Sequence, residues 1–343
     1  MKYIFQLLFT IQKAHTHQER NIATMEKDCY ELQYPRDNLY LSCYVNESLN
    51  YRYHWHPAEY EFQIVLCGKQ EFCRGKENFV MEEDDIVLVE PNAGHASFST
   101  TLNTRTLVIR FSALAFKPFL KKGESFSFSG LPSGQENRKD ARYTRIRFYA
   151  ARLLDAASQA SPYAPLAARG SAQLLLATLL EDFTPQITTT LPEQNEAQQE
   201  LMQRLAQYME EHYQEKITLE DLARFSQYNR TYISTLFKNM VGINFYDYLM
   251  RIRLKYALLD LADDKKNLTQ IALDNGFSDL KSFNSRFREI FQYAPADYRR
   301  RVSQDCVLHA LGRRLVPVED SLVREKLDQY NLGSVRAENT PYF

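Results

Sequence analysis

The stretch TLEDLARFSQYNRTYISTLFK, residues 218–238, decides the fold of the C-terminal part of the chain. Its apolar residues recur at intervals of three and four, which predicts a short helix, a tight turn and a second helix. The pattern returns later in the chain, where Leu219-x-x-Leu222 recurs as Leu268-x-x-Ile271, 49 positions on. A single helical hairpin is a weak signal, but two in register predict a helix-turn-helix that occurs twice.

The outer faces of the two second helices carry residue types that suit DNA recognition. Short hydroxyl and amide side chains can hydrogen-bond base edges, and neighbouring cations can contact phosphates. Leu280 is the exception, although it could contact a thymine methyl group. A protein-interaction module with solvated polar faces is the alternative, and it is disfavoured because cations recur at equivalent positions in both units. The predicted DNA-binding residues are Arg230, Thr231, Ser234, Thr235, Lys238, Leu280, Lys281, Ser282, Asn284, Ser285 and Arg288.

Charge is unevenly distributed along the chain. Residues 224–301 contain fourteen Lys and Arg against eight Asp and Glu, a net charge of +6, whereas the whole chain has a net charge of −1. This distribution favours binding of duplex DNA by one part only.

The five cysteines are odd in number and form no CxxC pair, which argues against a disulfide framework and a structural zinc site. The apolar run at residues 1–11 is too short to span a bilayer, so we expect a cytoplasmic protein without a membrane partner.

The N-terminal half has a different pattern. Residues 30–128 form many short runs rich in β-branched and aromatic residues, separated by Gly, Asn and Asp, which predict a small barrel or sandwich. Two apolar patterns of helical period follow, and we interpret them as an antiparallel pair that forms a dimer interface, with simple packing on the barrel as the alternative. The expected fold is therefore a multidomain α+β protein. Its predicted parts are a barrel at 25–135, a helix pair at 136–184, a linker at 185–197, the helix-turn-helix domain at 198–303 and a C-terminal extension at 304–343.

Several short motifs of the helical region belong together: Thr218-Leu-Glu-Asp-Leu-Ala223, Tyr232-Ile-Ser-Thr-Leu-Phe-Lys238, Gly242, Arg251-x-Arg253-Leu254-x-x-Ala257, Ile271-Ala272, Gly276-Phe277, Phe283-x-x-Arg286-Phe287, Pro295 and Tyr298-Arg299. Through these residues, the region resembles the DNA-binding domain of the AraC/XylS family of transcription regulators over about 100 residues. Gln292 departs from the family, which usually has Gly before the final helix. The resemblance implies control of transcription, usually activation, by a homodimer on paired promoter sites, with a contact to RNA polymerase.

A second resemblance concerns the barrel. His54, His56, Glu61 and Gly68 follow the spacing H-x-H-x4-E-x6-G, and His95 comes later, which resembles the cupin barrel of many AraC-type regulators. In cupin enzymes the three histidines and the glutamate can bind a divalent metal, through imidazole and carboxylate ligands. In regulators of this architecture the metal is usually absent, so we expect neither metal nor cofactor. The expected ligand-binding residues are His54, Trp55, His56, Glu61 and His95, and a metal at the histidines and the glutamate is the alternative.

These observations favour a regulator, not an enzyme. We expect the barrel to bind a small-molecule effector, with a saccharide stacked on an aromatic ring as a fitting candidate, and the twin helix-turn-helix units to bind DNA. One alternative is a metal-dependent cupin isomerase or oxygenase fused to a DNA-binding domain. Another is a constitutive regulator whose barrel binds nothing and only supports the dimer.

Overall fold

The structure is a computed structural model that describes residues 28–47, 50–101, 103–128, 131–189, 193–261, 265–301 and 314–337. Residues 1–24, which precede the predicted barrel, lie outside the described residues. So do residues 304–313 and 338–343 of the predicted C-terminal extension. In the described ranges, no helix combines the length and the apolar character needed to cross a membrane.

Two large antiparallel sheets form the body of the N-terminal part. Val65 and Val87 of the larger sheet pack with Phe72 and Met81 of the smaller one, so the two sheets face each other. The strands are β1 Cys29–Tyr34, β2 Leu39–Glu47, β3 Asn50–His54, β4 Glu59–Cys67, β5 Gln70–Arg74, β6 Glu77–Met81, β7 Ile86–Val89, β8 His95–Ser99 and β9 Arg105–Ser112. The larger sheet has the order β1-β2-β9-β4-β7, and a late strand, β12 (Arg314–Val316), also pairs with β2. The smaller, four-stranded sheet has the order β3-β8-β5-β6.

The predicted helix pair is present and packs on the larger sheet. Helix α1 spans Ala141–Ser158 and helix α2 spans Ala164–Phe183. Ile146 of α1 and Leu175 of α2 belong to the core cluster of this sheet, because their helical spacing turns them to one side. The Asp140 carboxylate caps the start of α1 by accepting a hydrogen bond from a backbone N–H of the first turn.

The predicted linker at 185–197 is shorter in the structure. Strand β11, Gln186–Thr188, pairs with strand β10, Ser125–Ser127, and helix α3 begins at Glu193. The strand pairing satisfies backbone groups that a free linker would leave to water. Residues 193–200 contain neither Pro nor Gly and are mostly good helix formers, which explains the early start of α3.

The helical domain follows the predicted repeat. Thr218 and Asp221 form a capping box at the start of the first unit, and Asn229 caps its second helix. The second unit begins at an Asn cap, Asn267, and its second helix is capped by Asp279. The helices are α3 Glu193–His212, α4 Leu219–Ser226, α5 Arg230–Val241, α6 Phe245–Asp260, α7 Leu268–Asp274, α8 Leu280–Phe291 and α9 Pro295–Arg301.

The C-terminal extension returns to the N-terminal domain. Strand β12, Arg314–Val316, pairs with the end of β2, beside the segment that pairs with β1. Helix α10, Ser321–Ala337, then packs along α1, where Leu327 is buried in the core of the larger sheet. The helical domain is therefore placed between two segments of chain that both belong to the N-terminal domain. We call residues 314–337 the C-terminal strap.

Candidate nucleic-acid interface and barrel site

The first candidate reading helix, α5, has one buried and one open face. Ile233, Leu236 and Phe237 are buried in the helical core by their spacing of three and four. Arg230 forms an ion pair with Glu220 at 2.9 Å, but both side chains are exposed, so solvent weakens the pair. The predicted residues on the open face are exposed at Arg230, Thr231, Thr235 and Lys238, and half-buried at Ser234.

The second candidate reading helix, α8, forms a shallow depression of about 610 Å³ on the surface. The inner face of the helix is held by Phe283 and Phe287, which are fully buried. Ser282 lies in the first turn, where its N–H donates to the Asp279 cap, and its side chain is half-buried. The depression is lined by five of the predicted residues, Leu280, Lys281, Asn284, Ser285 and Arg288.

Helix α6 connects the two helix-turn-helix units and is anchored near its start and in its middle. Arg253 donates to the carbonyl oxygens of Tyr213 and Glu215 at 2.8 and 2.7 Å, which ties α6 to the end of α3. The Arg286 guanidinium lies 5.5 Å from the ring centre of Tyr246, which links α8 to the start of α6. The separation of the two candidate reading helices is thus set by packing on α6.

The barrel brings together four of the predicted ligand-binding residues. The imidazole and carboxylate ligand atoms of His54, His56, Glu61 and His95 all lie within 4.8 Å of one another. Glu61 receives hydrogen bonds from both sides, with His56 Nε2 at 3.0 Å and His95 Nε2 at 3.2 Å. The His54 and His95 rings are 4.0 Å apart between centres, because the two residues are directly paired across β3 and β8.

Burial and hydrogen bonding shape the charges of this cluster. Burial alone would raise the pKa of Glu61, but hydrogen bonds from His56 and His95 outweigh it and hold the pKa well below its usual value. Burial lowers the pKa of His54 well below its usual value, and the neighbouring His95 lowers it further. The cluster therefore presents an ionised carboxylate beside a neutral imidazole, the forms in which both groups bind metals.

Trp55, the fifth predicted ligand-binding residue, lies elsewhere. Its side chain packs against the core cluster of the helical domain, because it follows β3 at the side where that domain docks. The cavity that Glu61 lines deeper in the barrel has a volume of about 10 Å³, room for about one water molecule. In this conformation that cavity does not accommodate a saccharide. Its other polar lining residues were not predicted from the sequence, because no local motif marks them: Asn46, Gln63, Gln70, Ser97, Thr104 and Thr106.

Comparison with known proteins agrees with this architecture. A helix-turn-helix domain family matches residues 222–301, and a cupin domain family matches residues 47–109. The TetD protein of transposon Tn10 from Escherichia coli is 33% identical over 93 residues, which cover 27% of this chain and 67% of that protein. The chain belongs to the AraC-type family of helix-turn-helix transcription regulators. Its AraC-type helices are thus the matched region of the first family, and the cupin match contains all four clustered residues.

Other relatives of this AraC-type chain match a similar length of it. An uncharacterised helix-turn-helix transcriptional regulator of Staphylococcus aureus is 33% identical over 92 residues, which cover 27% of this chain. The match spans only 12% of the length of that staphylococcal relative. A solved AraC-type transcriptional regulator from Chromobacterium violaceum is 28% identical with a TM-score of 0.29, and the match covers 31% of this chain and 94% of that one.

Proposed function

We propose that this chain is a sequence-specific regulator of transcription that binds promoter DNA with α5 and α8. The observation that carries the proposal is the pair of open helix faces, each held by a buried aromatic and aliphatic face and each bearing cations beside short polar side chains. The depression on α8 is lined by five residues that the sequence predicted as DNA contacts. Helix α6 spaces the two helices, as a protein that reads two successive major grooves requires.

Two kinds of substitution distinguish base contacts from phosphate contacts. A duplex is first selected from a random library by the full chain, and its affinity is then measured by fluorescence anisotropy at several salt concentrations. Lys238→Ala and Arg288→Ala should weaken binding to all duplexes and reduce the salt slope by about one each. Thr235→Ala and Ser285→Ala should relax sequence preference and leave the salt slope unchanged.

The control for this experiment is Lys122→Ala, which removes an exposed cation of the N-terminal domain. Its affinity and salt slope should match those of the wild type. If all four helix variants behave like this control, α5 and α8 are not the DNA-binding surface. If they all weaken binding alike without changing preference, the assignment of base contacts is wrong.

We further propose that the barrel cluster is the site at which the regulator receives its chemical signal. The donor set fits a divalent transition metal, since three imidazoles and one carboxylate converge within 4.8 Å. A metal held there by His54, His56, Glu61 and His95 would supply a positive charge that ties strands β3, β4 and β8 together. A small polar effector hydrogen-bonded by the same side chains is the second candidate. The cavity beside Glu61 is too small to hold a saccharide in this conformation.

Isothermal titration of the full chain with zinc, and thermal unfolding with a panel of sugars, decide between these candidates. Zinc binding that His95→Ala abolishes and His212→Ala leaves unchanged would support the metal. His212 is the matched control because it is a partly exposed histidine on α3. Stabilisation by a sugar alone would support the polar effector. No binding in either assay would favour a constitutive regulator, and turnover by a metal-loaded chain would favour the cupin enzyme.

A homodimer through α2 is also proposed. Tyr163, Leu166 and Leu174 leave an exposed apolar face on this helix, with exposed fractions of 78%, 74% and 50%. The other member of the predicted pair, α1, is covered by the C-terminal strap. Leu166→Glu combined with Leu174→Glu should therefore give a monomer by light scattering, and an unchanged mass would refute this interface. Activation of transcription and a contact with RNA polymerase follow from the family resemblance and stay predictions.

A further inference from the structure

The four-stranded sheet carries the histidine cluster on its inner face and the helical domain on its outer face. His54 and His95 contribute ligand atoms to the cluster, whereas their neighbours Tyr53 and Ala96 are buried in the core of the helical domain. Successive side chains of a strand point to opposite faces of a sheet. In β3 and in β8, a residue of the histidine cluster is therefore the direct neighbour in sequence of a residue that packs against the helical domain.

The outer face of this sheet is fixed to α6, the helix that separates the two reading helices. The backbone N–H of Tyr53 donates to the Tyr248 hydroxyl at 3.3 Å. The Phe98 ring of β8 meets the same tyrosine edge to face, with ring centres 5.6 Å apart. Tyr248 is fully buried, so a displacement of β3 or β8 would move this side chain and, with it, α6.

A buried ion pair also joins the two domains. The Glu71 carboxylate of β5 receives two hydrogen bonds from Arg251 of α6, with both N–O distances at 2.5 Å. The two side chains are only 12% and 14% exposed, and the guanidinium also lies 5.7 Å from the ring centre of Phe98. Removing one partner would leave the other charge buried without compensation, so this contact favours a single arrangement of the two domains.

We propose that this sheet couples the two sites, so that a divalent metal at the histidine cluster changes DNA affinity through the Glu71–Arg251 contact. The inference rests on the proposed DNA-binding and effector functions. Metal ligation at His54 and His95 constrains the strands whose adjacent residues hold α6. A ligand shifts such an equilibrium only if it binds the two domain arrangements with different affinity. DNA must then change the affinity for the metal by the same factor.

The test compares DNA affinity with and without zinc for the full chain on the selected duplex. The wild type should show a change of about five- to a hundredfold, the range of ordinary allosteric coupling. Glu71→Gln should bring this ratio close to one. Glu77→Gln is the matched control, because its carboxylate pairs with Arg74 inside the β5–β6 hairpin and not across the domains. The control should keep the wild-type ratio.

Hydrogen exchange of the wild type gives a second measurement that needs no interface variant. Zinc should change the exchange of amides 245–260 in α6, and His95→Ala should abolish that change. A chain that binds both zinc and DNA but shows a ratio of one and unchanged exchange would overturn the coupling and leave both proposed functions intact. An equal ratio for Glu71→Gln and wild type would overturn the role of the ion pair. A chain that does not bind zinc would overturn the metal as the signal and the coupling with it, whereas a chain that does not bind DNA would overturn the proposed DNA-binding function.

Discussion

The C-terminal strap should stabilise the N-terminal domain, and the substitution Leu327→Ala tests how strongly it does so. This side chain is fully buried in the core of the larger sheet, where α10 packs on α1. Truncation of a buried leucine to alanine removes its transfer free energy and leaves a cavity, which together cost about 2–5 kcal/mol. For a domain of this size each kcal/mol lowers the melting temperature by about 2–4 °C. We therefore expect Leu327→Ala to lower it by roughly 4–20 °C.

The same helix offers a matched control. Leu332 is 69% exposed, so Leu332→Ala should change stability by no more than about 0.5 kcal/mol. Differential scanning calorimetry of the full chain measures both variants, and the affected transition is that of the N-terminal domain. Equal melting temperatures for the two variants would refute the docking of α10 on α1, because the same leucine-to-alanine change would then cost the same at a buried and an exposed position.

Two further predictions concern other parts of the chain. Gly276→Ala should destabilise the helical domain by at least about 1 kcal/mol in urea, since its φ is +78° and a Cβ would lie 2.6 Å from a backbone oxygen, whereas Gly134→Ala should be nearly neutral. Burial would raise the pKa of Asp84, but hydrogen bonds from Lys326 and Tyr330 outweigh it and lower the pKa. The stability that this carboxylate contributes is therefore full above its usual pKa of 3.8 and is lost as the pH falls through the lower folded value. The difference in the free energy of unfolding between wild type and Asp84→Asn should therefore shrink in acid. A difference that grows in acid would contradict the pairing.

The helix-turn-helix region could be predicted because its signals are local. The capping box of Thr218 and Asp221, the Asn229 cap and the apolar spacing of three and four all act within a few residues. Each of these signals indicates a helix start or a buried helix face at the position where the structure has it. The exposed faces of α5 and α8 then follow from the positions of the buried residues.

The contacts between distant segments could not be predicted in this way. Strand β12 has only three residues, too few for a period, and its partner on β2 is more than 260 residues earlier. Glu71 and Arg251 are 180 residues apart, and neither carries a sequence pattern that identifies the other. Trp55 was expected beside the histidines because it is their neighbour in sequence, but the docking of the helical domain decides where its ring lies.

If α5 and α8 bind two successive major grooves of one duplex, their base contacts should fall into two separate blocks. Methylation interference on a duplex selected by the full chain measures these contacts. We expect two blocks of interference about one helical turn, or roughly 10 base pairs, apart. Thr235→Ala should erase one block and Ser285→Ala the other. A single block that both substitutions weaken equally, or a selection that enriches no sequence, would show that the two helices do not bind separate grooves.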